Sequence, residues 1–188
     1  MTTDRQKSFI ATLGTDNIPL HFLDLLHGEP AIASSVFASG GFFTGPPQRR
    51  DDSHRLGLHP EISADAIPGL LLYFRYTNYG YRLYIRTPGP YFGKCISVDT
   101  SGFVGAFPIA GSTTFNLINR HNRAMTLDDI KEDSLETYIQ VSGSGLLHRH
   151  NIYGSKYTYI ANKGQTPLLC RLKIHERNAT YLSTPDEI

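Results

Sequence analysis

Between Tyr81 and Ile118 the chain carries four short runs: Tyr81-Arg82-Leu83-Tyr84-Ile85, Gly93-Lys94-Cys95-Ile96-Ser97-Val98, Gly102-Phe103-Val104-Gly105 and Thr114-Phe115-Asn116-Leu117. Alternation of apolar and polar residues, as in the last run, puts one face of a strand inward. A glycine at position 102 has a physical reason, because a tight hairpin needs a residue that accepts positive φ. The stretch therefore reads as strand, loop, strand, glycine turn, strand, loop, strand.

The same order recurs on either side. Ser97-Val98-Asp99-Thr100-Ser101-Gly102 is echoed by Ser35-Val36-Phe37-Ala38-Ser39-Gly40 and, more faintly, by Tyr159-Ile160-Ala161-Asn162-Lys163-Gly164, with the three glycines 62 residues apart. Upstream of each lie Phe22-Leu23-Asp24-Leu25, Arg82-Leu83-Tyr84-Ile85 and Tyr138-Ile139-Gln140-Val141. Downstream lie Arg55-Leu56-Gly57-Leu58, Thr114-Phe115-Asn116-Leu117 and Arg171-Leu172-Lys173-Ile174. Internal repetition of this kind is an architectural signal. It predicts one domain over residues 1–188, in units of about 18–62, 78–120 and 135–178.

This threefold pattern, over residues 22–174, resembles the β-trefoil superfamily, and residues 81–118 look like one unit of the growth-factor and fascin kind. The likeness is one of pattern, with no family signature. It implies an all-β fold, a six-stranded barrel capped by three hairpins, whose closure removes exposed sheet edges. Two connections are longer than that scheme needs. Residues 59–80 form a long insertion between the first and second units and hold an extra strand, Leu70–Tyr76. In 119–136, Thr126-Leu127-Asp128-Asp129 has a capping-box form, which predicts a short helix near 127–135 with Leu127, Ile130 and Leu135 packing down. Residues 44–54 are expected to be a polar loop.

The 18 Lys and Arg against 17 Asp and Glu leave a formal charge of +1. That disfavours a nucleic-acid partner, which calls for a clustered excess of basic residues. Hydrophobic residues at 40% and charged residues at 19% suit a packed core. The longest apolar run, Leu70–Phe74, is far short of a membrane span. The polar start, without an apolar h-region, leads to the expectation of a cytoplasmic protein, with release by a route independent of a signal peptide left open. Cys95 and Cys170 lie in apolar contexts and are expected to be buried free thiols.

Alternation places Tyr81, Leu83 and Ile85 on one face and Arg82, Tyr84 and Arg86 on the other, with Tyr73 and Arg75 opposite Leu72 and Phe74. A Tyr/Arg face is either a recognition surface or a cover that packs the insertion onto the barrel. His148 and His150 could offer two metal ligands, but no third sits at a convincing spacing. No metal site or cofactor is expected. Ser142-Gly143-Ser144-Gly145 is a turn rather than a nucleophile elbow, and Gly40-Gly41 does not lead into a phosphate loop. Cys95 and Cys170 have no adjacent histidine, and Asp128, Asp129, Glu132 and Asp133 read as a solvated face. The chain is therefore read as non-enzymatic.

The trefoil resemblance implies function in the loops, with a lectin-like module that takes a carbohydrate or glycoprotein as the leading expectation. The absence of Trp excludes a ricin-type Gln-x-Trp sugar site. Ligand-binding residues are expected at Asp24, His27, Asp99, Asn119, His121, Asn122 and Asn151, together with Arg82 and Tyr84 on the Tyr/Arg face. Two other readings stay open. One is a protease inhibitor that inserts a Pro-rich loop, 44–54 or 86–93, where proline lowers the entropy lost on docking. The other is a module for a protein partner or a toxin subunit.

Overall fold

In the computed structural model, which describes residues 2–35 and 48–180, the alternating runs become strands. The first group is β1 (Phe9–Gly14), β2 (Leu20–Phe22), the short helix α1 (Leu23–His27), β3 (Ile32–Ser35), β4 (Gln48–Asp51), β5 (Leu56–Leu58) and β6 (Leu70–Thr77). The second is β7 (Gly80–Ile85), β8 (Cys95–Val98), β9 (Val104–Phe107), β10 (Phe115–Ile118) and β11 (Ala124–Met125). The third is β12 (Ser134–Val141), β13 (His148–Asn151), β14 (Thr158–Ala161), β15 (Thr166–Pro167) and β16 (Cys170–Arg177). The fold is all-β.

Six strands form a closed ring, β1-β6-β7-β10-β12-β16 and back to β1, with Phe115 opposite Tyr81 completing the circuit. Closure leaves these strands no free edge. Period-two alternation sends Phe9, Ala11 and Leu13 of β1, Leu70, Leu72 and Phe74 of β6, and Tyr81, Leu83 and Ile85 of β7 into one core. Phe9 and Phe74, directly opposed across β1 and β6, stack with ring centroids 4.6 Å apart and planes 6° from parallel. Tyr81 lies edge-on to Phe9, and its hydroxyl donates to Lys7 O and accepts from Leu127 N–H, each at 3.0 Å. One phenol thus ties the N-terminal segment and the turn before β12 to the barrel.

Three pairs of strands, β2 with β5, β8 with β9 and β13 with β14, add their inward residues to the same core. They meet through their second strands: β5 pairs with β14, Arg55 bridges Gly105, and Phe103 bridges Ala161. Strand, paired strands, strand is therefore seen three times along the chain. Gly102, at φ +90°, makes the turn between β8 and β9, where an added Cβ would lie 2.5 Å from Asn162 Oδ1. The reading of residues 81–118 holds strand for strand.

The flanking units fall differently from their sequence alignment. The first barrel strand is β1, upstream of residue 18, and the expected extra strand at Leu70–Tyr76 is the barrel strand β6. Phe22-Leu23-Asp24-Leu25 is not a strand, because β2 ends at Phe22 and α1 begins at Leu23. The long insertion therefore lies inside the first unit, between β2 and β5, rather than between the first and second units. Gly164 lies after β14, whereas the turn equivalent to Gly102 holds Gly154 at φ +80°. Gly40 lies outside the described residues. The 62-residue spacing does not mark equivalent turns, because loops of different lengths separate the strands.

Within 44–54, residues 48–51 form β4, paired with β3, and 44–47 lie outside the described residues. The expected helix at 127–135 is a single 3-10 turn, Leu127–Asp129, because β12 begins at Ser134. Its capping box forms as read, with Thr126 N–H donating to Asp129 Oδ2 at 2.8 Å. Leu127 and Ile130 pack into the core and Leu135 against it. Among the described residues no helix is long and apolar enough to cross a membrane.

Candidate functional site

The insertion between β2 and β5 and the loop between β7 and β8 together build a cleft of about 450 Å³. On one side α1 begins directly after Phe22 and stops at Gly28, whose left-handed φ of +66° ends the helix. On the other, Thr87-Pro88-Gly89-Pro90-Tyr91 stands on a closed base, with Gly93 N–H donating to Ile85 O at 2.9 Å and Ile85 N–H to Lys94 O at 2.8 Å. Thr87 Oγ1 accepts from Leu71 N–H at 2.8 Å, which pins the loop to β6. Proline on both sides of Gly89 restricts the backbone there.

Asp24 lines the cleft. Its Oδ2 accepts the Tyr91 hydroxyl at 2.7 Å and its Oδ1 accepts Leu25 N–H at 2.7 Å. Burial and this bond to a carboxylate hold the Tyr91 phenol well above its ordinary pKa. The Tyr91 ring tilts against Phe22, centroids 4.6 Å apart. Asp51 and Glu29 add two more carboxylates, with no Lys or Arg among the described lining residues. Hydrogen bonds from Ser53 keep Asp51 below the usual carboxylate range. The surface is thus acceptor-rich and acidic, with aromatic and proline walls.

His21 lies beneath this cleft, 1% exposed. Its Nδ1 accepts Phe22 N–H at 2.9 Å, so the neutral ring carries its proton on Nε2, which is buried without a partner among the described residues. Burial, opposed by Asp24, lowers its pKa from 6.5 to about 4. The folded state therefore holds the neutral form, while the unfolded chain takes up a proton near pH 6.5. The contribution is intact above pH 6.5 and is lost as the pH falls towards 4, by about 3 kcal/mol. His27 and His54, also lowered mainly by burial, act in the same direction. Urea titrations of wild type and His21→Gln from pH 7 to 4 isolate the His21 part: the variant's profile should be flatter, and parallel profiles would refute the assignment.

The other expected ligand residues do not converge on this cleft. His27, at the far end of α1, stacks on His59 at 4.5 Å and meets Tyr157 edge-on at 4.9 Å. Asp99 builds its turn, accepting Ser101 N–H and Phe103 N–H on Oδ1, and pairs with Arg55 at 2.8 Å through Oδ2. Asn119 does the same between β10 and β11, accepting His121 N–H and Arg123 N–H, while Asn122 takes φ +59°. His121 and Asn122 are exposed there. Asn151 ends β13 and lines a hollow with Arg149 and Gln165.

Tyr84 is only 4% exposed, packed with Tyr73, Cys95 and Ala179 in a satellite cluster on the outer side of the barrel. The Tyr/Arg face is thus a packed cover as far as its tyrosines go, since Ala179 and Ile109 close over them. Arg82 remains partly exposed. Cys95 and Cys170 are free and buried, and burial raises both thiols, Cys170 to about 12, so neither is poised as a thiolate. Among the described residues no three His, Cys, Asp or Glu side chains group as metal ligands. His150 instead lies edge-on to Phe103.

Of the cleft, sequence reasoning found Asp24 and the Pro-rich loop. It missed Tyr91, His21, Asp51 and Glu29 as neighbours. An aromatic within a Pro-Gly loop was a usable signal for Tyr91, whereas nothing local joins Asp51 to residue 91. No protein-family model, curated protein or solved structure matches the chain.

Proposed function

We propose that the chain is a β-trefoil binding module, non-enzymatic, whose ligand is a carbohydrate, free or on a glycoprotein, seated in the cleft between α1 and the Thr87–Tyr91 loop. The trefoil reading is supported by the closed ring of six strands in chain order and the three mutually contacting strand pairs. The ligand reading rests on one observation: Asp24, hydrogen-bonded to Tyr91, stands among apolar walls in a cleft large enough for one or two sugar rings. Sugars present apolar C–H faces and hydroxyl donors, which aromatic rings and carboxylate acceptors complement.

A glycan array followed by calorimetry on the best ligand tests this. Tyr91→Ala should weaken binding about tenfold, or 1.4 kcal/mol. Asp24→Asn should weaken it further, because a charged acceptor is lost. No binding across mono- and oligosaccharides would overturn the carbohydrate reading.

The exposed Pro88-Gly89-Pro90 rim, held at its base by backbone bonds, favours a second reading, insertion into a protease cleft. The 44–54 segment supports it less, since Arg49 and Arg50 lie on β4 and Arg50 is bound to Asp52. Absence of any slowing of serine and cysteine proteases at micromolar protein would remove it.

A further inference from the structure

Ser53 ties two carboxylates to the cleft between α1 and the Thr87–Tyr91 loop. Asp24 N–H donates to Ser53 O at 3.3 Å, and Ser53 N–H donates to Asp51 Oδ1 at 2.9 Å. The start of α1 and the end of β4 are thereby held together, and the charges of both aspartates help the Tyr91 phenol to keep its proton. Neither aspartate forms an ion pair among the described residues. Cations from the adjoining segments are engaged elsewhere. Lys156 pairs with Glu29 at 3.3 Å, and Arg50, sent by strand alternation to the face opposite Asp51, pairs with Asp52 at 2.8 Å. Lys94 lies over the Tyr91 ring, 5.9 Å from its centroid. His21, which also lines the cleft, is 1% exposed, with Nε2 unpartnered among the described residues, and burial keeps the ring neutral. A chain of formal charge only +1 thus holds two unbalanced negative charges between apolar walls, which concentrate their field on whatever enters.

We infer, on the carbohydrate reading above, that the sugar seated in this cleft is an amino sugar, carrying a free ammonium in place of a hydroxyl or an acetamide. The carboxylates are open to it, since Asp24 is only part-buried and Asp51 is exposed, and an oxygen that accepts one protein donor keeps a lone pair for another. An ammonium donates to them in charge-assisted hydrogen bonds, about twice as strong as the neutral bonds of a hydroxyl. It is also drawn to an aromatic face, as Lys94 already is to Tyr91. Acetylation removes the charge and leaves the carboxylates uncompensated, so the cleft should discriminate by charge as well as by shape.

Calorimetry on the full chain at about pH 6, where the sugar amine is protonated, tests this with trimers of glucosamine, N-acetylglucosamine and glucose. The glucosamine trimer should bind at least tenfold more tightly than the other two, and the preference should shrink as salt is added. Gly28 and Gly89, on opposite sides of the cleft, should shift their amide NMR signals together in the same titration. Asp51→Asn should cut the preference to about twofold, whereas Glu176→Gln, the same change of charge at an exposed position of β16, should retain it. Nα-acetyl-lysine methylamide should bind at least tenfold more weakly than the glucosamine trimer, and equal binding would make a basic peptide the occupant and overturn the inference. Equal affinity for the three trimers, or still Gly28 and Gly89 signals, would also overturn it. Trimers that bind equally in this cleft leave the carbohydrate reading standing, whereas no binding by any saccharide overturns both. The wild-type comparison decides even if Asp51→Asn fails to fold.

Discussion

Asp52→Ala is expected to lower the unfolding free energy by about 3–5 kcal/mol, the cost of removing one partner from a buried ion pair. Asp52 is 0% exposed and accepts hydrogen bonds from Arg50 beside it and from Tyr159 of β14. Arg50 Nε and Nη2 donate to its two oxygens at 2.8 and 3.0 Å, and the Tyr159 hydroxyl donates at 2.6 Å. Arg55 Nε lies 3.1 Å from Oδ1 as an ion contact without hydrogen-bond alignment. Burial and the bond to Asp52 push the Tyr159 phenol up to about 12, so it stays a donor. Alanine would leave Tyr159 without that acceptor and Arg55, 7% exposed, with Asp99 as its remaining carboxylate.

Asp52→Asn, which keeps an acceptor for Tyr159 but no charge for Arg55, should fall between wild type and Asp52→Ala. Urea unfolding followed by circular dichroism measures the series. A loss below about 1 kcal/mol for Asp52→Ala would mean that the carboxylate is worth no more than a surface ion pair. The same residue closes the base of the β3–β4 hairpin, with its N–H donating to Ala31 O at 2.7 Å.

Phe74→Ala should cost a similar 3–5 kcal/mol, for a different reason. The ring is fully buried, stacked face to face on Phe9 and bordered by the edge of Tyr81 at 6.1 Å. Truncation removes the burial of a large apolar group and leaves a cavity that the closed ring cannot collapse to fill. Phe92→Ala, at 41% exposure, serves as the contrast and should shift stability by no more than about 0.5 kcal/mol. Urea midpoints with unchanged slopes would report both. Equal effects for the two variants would contradict a core centred on the Phe9–Phe74 stack.

Legibility in the sequence follows the length of the loops. Residues 81–118 are read correctly because short connections keep four strands within one window, and the alternation of Tyr81, Leu83 and Ile85 names the inward face. The first unit is misread because α1 and the β3–β4 hairpin are inserted between β2 and β5. That displacement leaves Phe22–Leu25 looking like a strand and Leu70–Tyr76 looking like an addition. Periodicity identifies a strand without saying which of a unit's four strands it is, and so Gly164 is matched to a turn one strand away from its own.

The site shows the same division. Asp24 is legible as a polar residue near the start of a loop region, and the Pro-rich loop as a rigid projection. Asp52, within Arg49-Arg50-Asp51-Asp52, has the local appearance of a solvated charge run. Its burial is imposed by Tyr159 and Arg55 arriving from β14 and from the turn before β5. Tyr84 has the parity of an outward residue, and it is outward, yet Ala179 and Ile109 cover it.

By itself, then, the chain determined the four strands of residues 81–118, their inward faces, the Gly102 turn and the Thr126–Asp129 cap, since these follow from steric and hydrogen-bonding rules acting over a few residues. Only the tertiary structure decided where the insertion sits, which charges are buried and which residues share a cleft. Those outcomes depend on side chains distant in sequence excluding water from one another, and no local pattern encodes that exclusion.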